Sequence, residues 1–434
     1  MNYIPPVIFV PGITGTYLRD EYQLPPERVW GVIQHDYARV ALHPDDPRFE
    51  AIAPARVRAD SIFEVAYKEI IQELRYNLCT SDDQPVPVFP FAYDWRLPLE
   101  ILETQFAEFV DEVIDRTKLI LHYAEAGYAE DPRVNLIGHS MGGLIITGYL
   151  DRKGKSARVS KVVTLATPYK GSFEAVIKIA TGTANLGTDS PNSREREAAR
   201  LTSSLYHLLP DIKDALEVED PDLPRSFFNP ALWQLSVIAS VLEYVRRQMA
   251  VLEKEQKAQA LFARFLEAAQ AYRSRIDNFR LSQTDLTPGD WLCVVGVNSE
   301  TRVRMRIEAT ERGPQFDLSS KYRLNRWRRE GEKPAAWRLT GDGTVPFEAA
   351  LPNFLALENI VCVTPEDYGY WEVQDRVVAN VAGFHSILPN MDMVHRMIVR
   401  HFTGRPDVGG NTWGYPAPGV TAKKWKPPLS MRAK

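Results

Sequence analysis

Cysteine is nearly absent from this sequence. Its three thiols, Cys79, Cys293 and Cys362, stand far apart in 434 residues. That odd number and wide spacing describe neither a disulfide framework nor a metal site, and no cofactor is expected. A chain this long can bury a large core without such staples. Cys293 and Cys362 fall inside apolar strand-like runs and read as buried free thiols. Long apolar runs are missing too, none reaching the ~18 residues of a membrane-spanning helix. The opening, Met1-Asn2-Tyr3-Ile4-Pro5-Pro6, has no basic n-region or apolar h-region, so the expected location is cytoplasmic. Charge of one sign is not in excess: 52 Lys and Arg face 56 Asp and Glu, which argues for no nucleic-acid partner. There is no internal repeat.

What is present is organised around Val134-Asn135-Leu136-Ile137-Gly138-His139-Ser140-Met141-Gly142-Gly143. An apolar run ends in Gly-x-Ser-x-Gly, and a helix-like stretch, Leu144 to Asp151, follows. This is the pattern of a nucleophile elbow, in which a strand delivers a serine to a sharp turn. Gly138 and Gly142 are read as small because strand and helix pass close there. The N–H of Met141, at the helix start, can face a developing oxyanion. Val7-Ile8-Phe9-Val10 forms a short buried-strand pattern that runs into Pro11-Gly12-Ile13-Thr14-Gly15. A turn after an early strand is where an α/β-hydrolase places its second oxyanion donor, which makes the Ile13 N–H the candidate.

Further strand-like runs are Val86–Phe91, Lys161–Pro168, Trp291–Gly296 and Ile360–Val363. Helical periodicity lies between them, from a capping box at Ser61-Ile62-Phe63-Glu64 to about Asn77, and from Pro98 to Gly127. The alternation predicts an α/β-hydrolase fold: a mostly parallel central sheet with helices on both faces. Residues 170–288 show no strand signal and read as a large helical cap inserted into the core. After Asn229-Pro230 no Gly or Pro occurs until Pro288. Apolar stripes at Leu235, Ile238, Leu242, Val245, Met249 and Leu252, and at Leu261, Phe265, Ala268, Tyr272, Ile276 and Phe279, fit one very long helix or a helical hairpin. The stripes suit packing or a lipid-facing use. The expected organisation is a core in two parts, 1–169 and 289–404, around the cap at 170–288. A lid-like irregular loop is expected at 18–60, and a tail at 405–434. Thr301 to Ile307 is expected to pair with Trp337-Arg338-Leu339. The basic run Lys321 to Arg329 suits either anionic headgroups or a solvated loop.

A serine hydroxyl needs a base within reach, and the base needs an acid to orient it. In this fold the chain order is serine, acid, histidine. Asp342, in the turn Gly341-Asp342-Gly343, and His385, between the last core strand and the closing helix, satisfy that order. His139 is expected to point away from the elbow. His395 and His401 lie within the predicted helix, and His35, His43, His122 and His207 precede the acid. Asp94 and Arg96 read as a structural ion pair near the site.

With these residues in place, the chain resembles the lecithin:cholesterol acyltransferase family of α/β-hydrolases. The resemblance rests on Val10-Pro11-Gly12-Ile13-Thr14-Gly15, Tyr93-Asp94-Trp95-Arg96, Gly138-His139-Ser140-Met141-Gly142, Ser204-Leu205-Tyr206-His207-Leu208-Leu209-Pro210 and Gly341-Asp342-Gly343-Thr344-Val345. These pieces come in the family's order. The resemblance implies Ser140, Asp342 and His385 as triad, Ile13 and Met141 as oxyanion donors, and a lipid acyl ester as substrate. Family members include phospholipases A and acyltransferases. The expected function is a serine hydrolase cleaving lipid carboxylic esters, in transient contact with a membrane surface. The alternatives are an acyltransferase to an alcohol, an esterase for soluble esters, and a binding protein on a hydrolase fold.

Overall fold

The apolar runs that flank the serine motif lie side by side as parallel strands. The structure, a computed structural model, describes residues 3–31, 34–52, 54–79, 81, 83–184, 191–318, 341–369, 372 and 383–434. In chain order its strands are β1 (Val7–Val10), β2 (Thr16–Asp20), β3 (Glu27–Trp30), β4 (Val57–Ile62), β5 (Val88–Pro90), β6 (Val134–His139) and β7 (Val159–Leu165). There follow β8 (Leu216–Val218), β9 (Trp291–Gly296), β10 (Met305–Thr310), β11 (Gly313–Phe316), β12 (Ile360–Val363), β13 (Trp413–Pro416) and β14 (Arg432–Ala433).

The main sheet has the order β14-β13-β12-β9-β7-β6-β1-β5. From β12 to β5 every pairing is parallel, and only β13 runs antiparallel to its neighbour β12. The central strands β1, β6 and β9 are buried throughout, as strands covered on both faces must be, which is why they read as unbroken apolar runs. Ile8 and Val10 pack with helices Leu99–Lys118 and Met141–Lys153 on one face. Val7 and Phe9 pack with Glu64–Asn77 and Asp392–Thr403 on the other. The α/β-hydrolase fold is thus in place. Val10 pairs with Gly138, so the turn after β1 lies beside the elbow.

Several local expectations need correction. The 18–60 loop contains an antiparallel sheet, β3-β2-β4. Ser61 and Ile62 belong to its last strand, so they cannot cap the helix that starts at Glu64, and that helix has no side-chain cap. The 170–288 segment does contain a strand, β8, too short to show periodicity; it pairs with β10. β10 makes its hairpin with β11; Trp337-Arg338-Leu339 and the basic run Lys321 to Arg329 lie outside the described residues.

The cap helices form a hairpin, Leu235–Gln248 and Lys254–Asn278, broken at the short, mostly apolar turn Met249–Glu253. Their buried faces differ from the expected stripes. Val237, Val241, Tyr244 and Val245 face inward on the first helix, while Leu235 and Leu252 are exposed. On the second, Phe262, Leu266 and Ala269 join Leu261, Tyr272 and Ile276 inside. Both helices carry apolar groups on adjacent faces, and the packing partner selects between them.

Residues 405–434 are not a tail. Their Pro, Gly and Lys content hides β13 and β14, which extend the sheet beyond β12. Pro416 is tolerated because its strand lies near the sheet edge. The Trp425 Nε1–H donates to the Ile360 carbonyl at 2.8 Å, and its ring is buried. Trp425→Ala is therefore expected to lower unfolding free energy by about 3 kcal/mol, as buried aromatics do. Urea denaturation measures it, and a loss under about 1 kcal/mol would make this segment an ornament of the sheet rather than part of it.

Candidate active site

Ser140 stands between β6 and the helix Met141–Lys153 with φ 53° and ψ −126°. A side chain in that region of the backbone map costs roughly 1–3 kcal/mol and persists only where the surroundings impose it. They do so through glycines. A Cβ on Gly142 would lie 2.2 Å from the Val10 carbonyl oxygen, and one on Gly138 2.6 Å from the Gly143 nitrogen. The helix start, β1 and β6 therefore cross in contact at the serine.

The fold brings Ser140, His385 and Asp342 together. His385 Nε2 lies 2.9 Å from Ser140 Oγ, and His385 Nδ1 lies 2.7 Å from Asp342 Oδ2. The carboxylate can only accept, so Nδ1 carries the proton and Nε2 is left to accept from the serine hydroxyl. Asp342 is itself held: its Oδ1 accepts from the N–H groups of Thr344 at 2.9 Å and Val345 at 2.7 Å. The His385 N–H donates to the Asp342 carbonyl at 3.0 Å, fixing loop to loop. All three side chains are buried.

Above the serine sits the turn Pro11–Gly15. A Cβ on Gly12 would lie 3.0 Å from Ser140 Cβ, so the turn rests on Ser140. The Gly12 N–H is occupied, donating to Tyr67 Oη at 3.1 Å. The next along, Ile13, and the Met141 N–H at the helix start donate to no acceptor among the described residues. First-turn helix N–H groups lack intrahelical partners, which leaves Met141 available to a ligand oxygen. Tyr93 Oη donates to the Pro11 carbonyl at 2.8 Å and holds the turn from behind.

His139 does not point away from the site. Its ring centroid is 5.0 Å from that of His385, and its Nε2 donates to the His385 carbonyl at 3.0 Å. Nδ1 must then accept, and it does so from Tyr67 Oη at 2.9 Å. Gly12 N–H, Tyr67 hydroxyl, His139 ring and His385 backbone thus form one buried chain. Burial pushes the His139 pKa well below the ordinary imidazole value and the Tyr67 phenol up to about 12, so both are neutral. In the sequence Tyr67 looks like any core aromatic of an amphipathic helix, and a residue beside the nucleophile announces proximity without direction.

Asp94 and Arg96 do form a buried ion pair. Arg96 Nε and Nη2 reach the carboxylate at 2.8 and 2.6 Å. The same guanidinium donates to the Val40 carbonyl at 2.9 Å and the Val57 carbonyl at 3.4 Å. It ties the 18–60 excursion to the core and sets Trp30 against Trp95, their centroids 4.8 Å apart. These indoles, with Phe63, Leu205 and Leu208, line a cavity of about 370 Å³ that opens on Ser140 and His385. His395 and His401 lie elsewhere, hydrogen-bonded to backbone carbonyls, with burial lowering each pKa to about 4. No three His, Cys, Asp or Glu side chains gather as a metal site among the described residues.

The model of the lecithin:cholesterol acyltransferase family matches residues 59–351. The chain belongs to the lecithin:cholesterol acyltransferase family. Membership supports an enzyme of the lipid esterase or acyltransferase kind. No curated protein matches the sequence. Among solved structures, the Tle4–Tli4 complex matches over 80% of this chain and 88% of its own, with TM-score 0.55 and 15% identity, a likeness of fold. Phospholipase PlaB from Legionella pneumophila matches over 40% of this chain and 27% of its own, with TM-score 0.23 and 18% identity.

The buried chain through Tyr67 is expected to affect turnover measurably. Tyr67→Phe removes one hydroxyl and leaves two buried partners unsatisfied. Loss of about 1.4 kcal/mol of positioning corresponds to a roughly tenfold lower kcat, with KM within about twofold. Steady-state ester hydrolysis tests this, and an unchanged kcat would show the link to be structural only.

Proposed function

We propose that Ser140, His385 and Asp342 are a catalytic triad and that the protein hydrolyses carboxylic esters of lipids through an acyl-enzyme. The observation that carries the reading is the hydrogen-bonded series Asp342–His385–Ser140 opening on an apolar cavity. His385 Nε2 takes the serine proton as Oγ attacks the ester carbonyl carbon. The tetrahedral oxyanion accepts from the N–H groups of Ile13 and Met141. Collapse breaks the bond to the alcohol oxygen, which leaves with the proton from His385. Water then gives a proton to the same nitrogen and attacks the acyl carbon, releasing the fatty acid and restoring Ser140. An alcohol in place of water would make the enzyme an acyltransferase.

In this reading the insertion at 170–288 caps a core formed by 1–169 and 289–434, and Leu205 and Leu208 of the cap supply part of the acyl wall. Among the described residues no helix is long and apolar enough to cross a membrane, so substrate reaches the cavity by contact with a membrane surface or from solution.

Ser140→Ala should fall below about a thousandth of wild-type activity with the fold intact, because triad members act as a unit. His385→Ala and Asp342→Asn should be severely impaired, and His395→Ala nearly neutral in turnover. An essential His395 with a dispensable His385 would overturn the assignment. In a nitrophenyl-ester series from acetyl to palmitoyl, longer chains should gain about 0.8 kcal/mol per buried methylene until the cavity is filled. A steep preference for acetyl, with no fatty acid released from phospholipid vesicles, would defeat the lipid reading and spare the serine mechanism. Transfer to an added long-chain alcohol outrunning hydrolysis would assign acyl transfer instead.

A further inference from the structure

One charged side chain in the cavity is used by neither the triad nor the fold. Lys178 lies on the helix Phe173–Thr181, whose Phe173, Val176 and Ile179 pack into the core. The helix turns a different face to the cavity, formed by Glu174, Ala175 and Lys178 at helical spacing. Among the described residues no carboxylate or other acceptor comes within hydrogen-bond or ion-pair distance of the Lys178 ammonium. The nearest acidic influences are Glu174 and Glu195, and the Glu195 carboxylate already accepts from the Ala184 N–H at 3.1 Å. Burial outweighs both carboxylates and lowers the Lys178 pKa from its ordinary value.

Lys178 is half-buried, and an ammonium with reduced access to water and no partner is costly, so an anion entering the cavity would stabilise it. Of the surrounding walls Trp30, Phe63, Trp95 and Leu205 are apolar, and Glu174, the carboxylate on the same lining, acts on Lys178 only at longer range. Building on the ester-hydrolase reading, we infer that Lys178 is the seat for an anionic oxygen group of the substrate, the phosphate of a phospholipid headgroup, within the cavity that holds the ester at Ser140. The acyl chain then follows the apolar walls while the phosphate pairs with Lys178, and the ester between them is presented to the serine. Lys178 is a specificity-determining residue in this arrangement, and no proton passes through it. A neutral diacylglycerol would leave the ammonium unpaired on binding, whereas a phosphate ester would satisfy it.

The seat can be tested without turnover. In Ser140→Ala protein, titration calorimetry with decyl phosphate, decanoate and decanol as separate probes should give binding of decyl phosphate at least tenfold tighter than decanol. Adding Lys178→Met, which keeps the length of the side chain and removes its charge, should erase that advantage, and Lys178→Arg should retain most of it. Equal affinity for decyl phosphate and decanol, or no effect of Lys178→Met, overturns the proposal. So does a Lys178-dependent advantage confined to decanoate, which would assign the seat to a fatty-acid carboxylate. A second arm compares phosphatidylglycerol with diacylglycerol of the same chains in mixed micelles, where Lys178→Met should lower the ratio of the two rates at least tenfold. If the wild-type enzyme releases fatty acid from neither lipid, the ester-hydrolase reading falls while calorimetry still decides the anion seat.

Discussion

The site depends on a crossing with no room for a methyl group. Where the helix Met141–Lys153 leaves β6, Gly142 lies against the carbonyl of Val10, close enough that a Cβ would sit 2.2 Å away. This contact sets three things together. It brings the turn after β1 over the serine, sets the first residue of the helix directly beside it, and holds Ser140 at a positive φ that an isolated peptide would avoid. Strain at Ser140 persists because β1, β6 and β7, parallel and hydrogen-bonded side by side, cannot relax around it. The packing of the sheet and the geometry of the site are therefore one constraint seen at two scales.

Electrostatics around the serine are arranged to keep charge in one place. Asp342 carries the formal charge at the base of the hydrogen-bonded series and is satisfied by two backbone N–H groups as well as by His385. On the other side, His139 and Tyr67 are neutral, and their hydrogen bonds fall into one consistent order of donors and acceptors. A charged His139 would stand beside His385 and oppose protonation of its ring. Burial prevents that, so no cation stands beside the His385 ring from this side.

Much of this was legible from residue order alone. Gly-x-Ser-x-Gly after an apolar run specifies an elbow because the two glycines answer a steric demand, and chain order selected Asp342 and His385 among many Asp and eight His residues. The fold joins those three by hydrogen bonds. Directions were harder to read. His139 has no periodicity of its own to say where its ring goes, and Tyr67 lies on a helix whose apolar spacing explains it fully as core. The cap helices each offered two adjacent apolar faces, and only the tertiary partner decides which is buried. β8 and β13 are too short for alternation to register, and Pro416 reads as a breaker where pairing at the sheet margin accepts it.

The strands supplied by residues 405–434 also bear on the order in which the site is completed. His385 precedes the helix Asp392–Thr403, and that helix is fastened from behind by later residues: Arg400 reaches Thr412 at 2.7 Å and Asp407 at 2.8 Å. Trp413 approaches Met393 from the same segment. Synthesis runs from the N-terminus, so Ser140, the turn after β1 and the cavity walls all emerge before residues 405–434. The far edge of the sheet, built from residues 405–434, thus fastens the helix that follows His385.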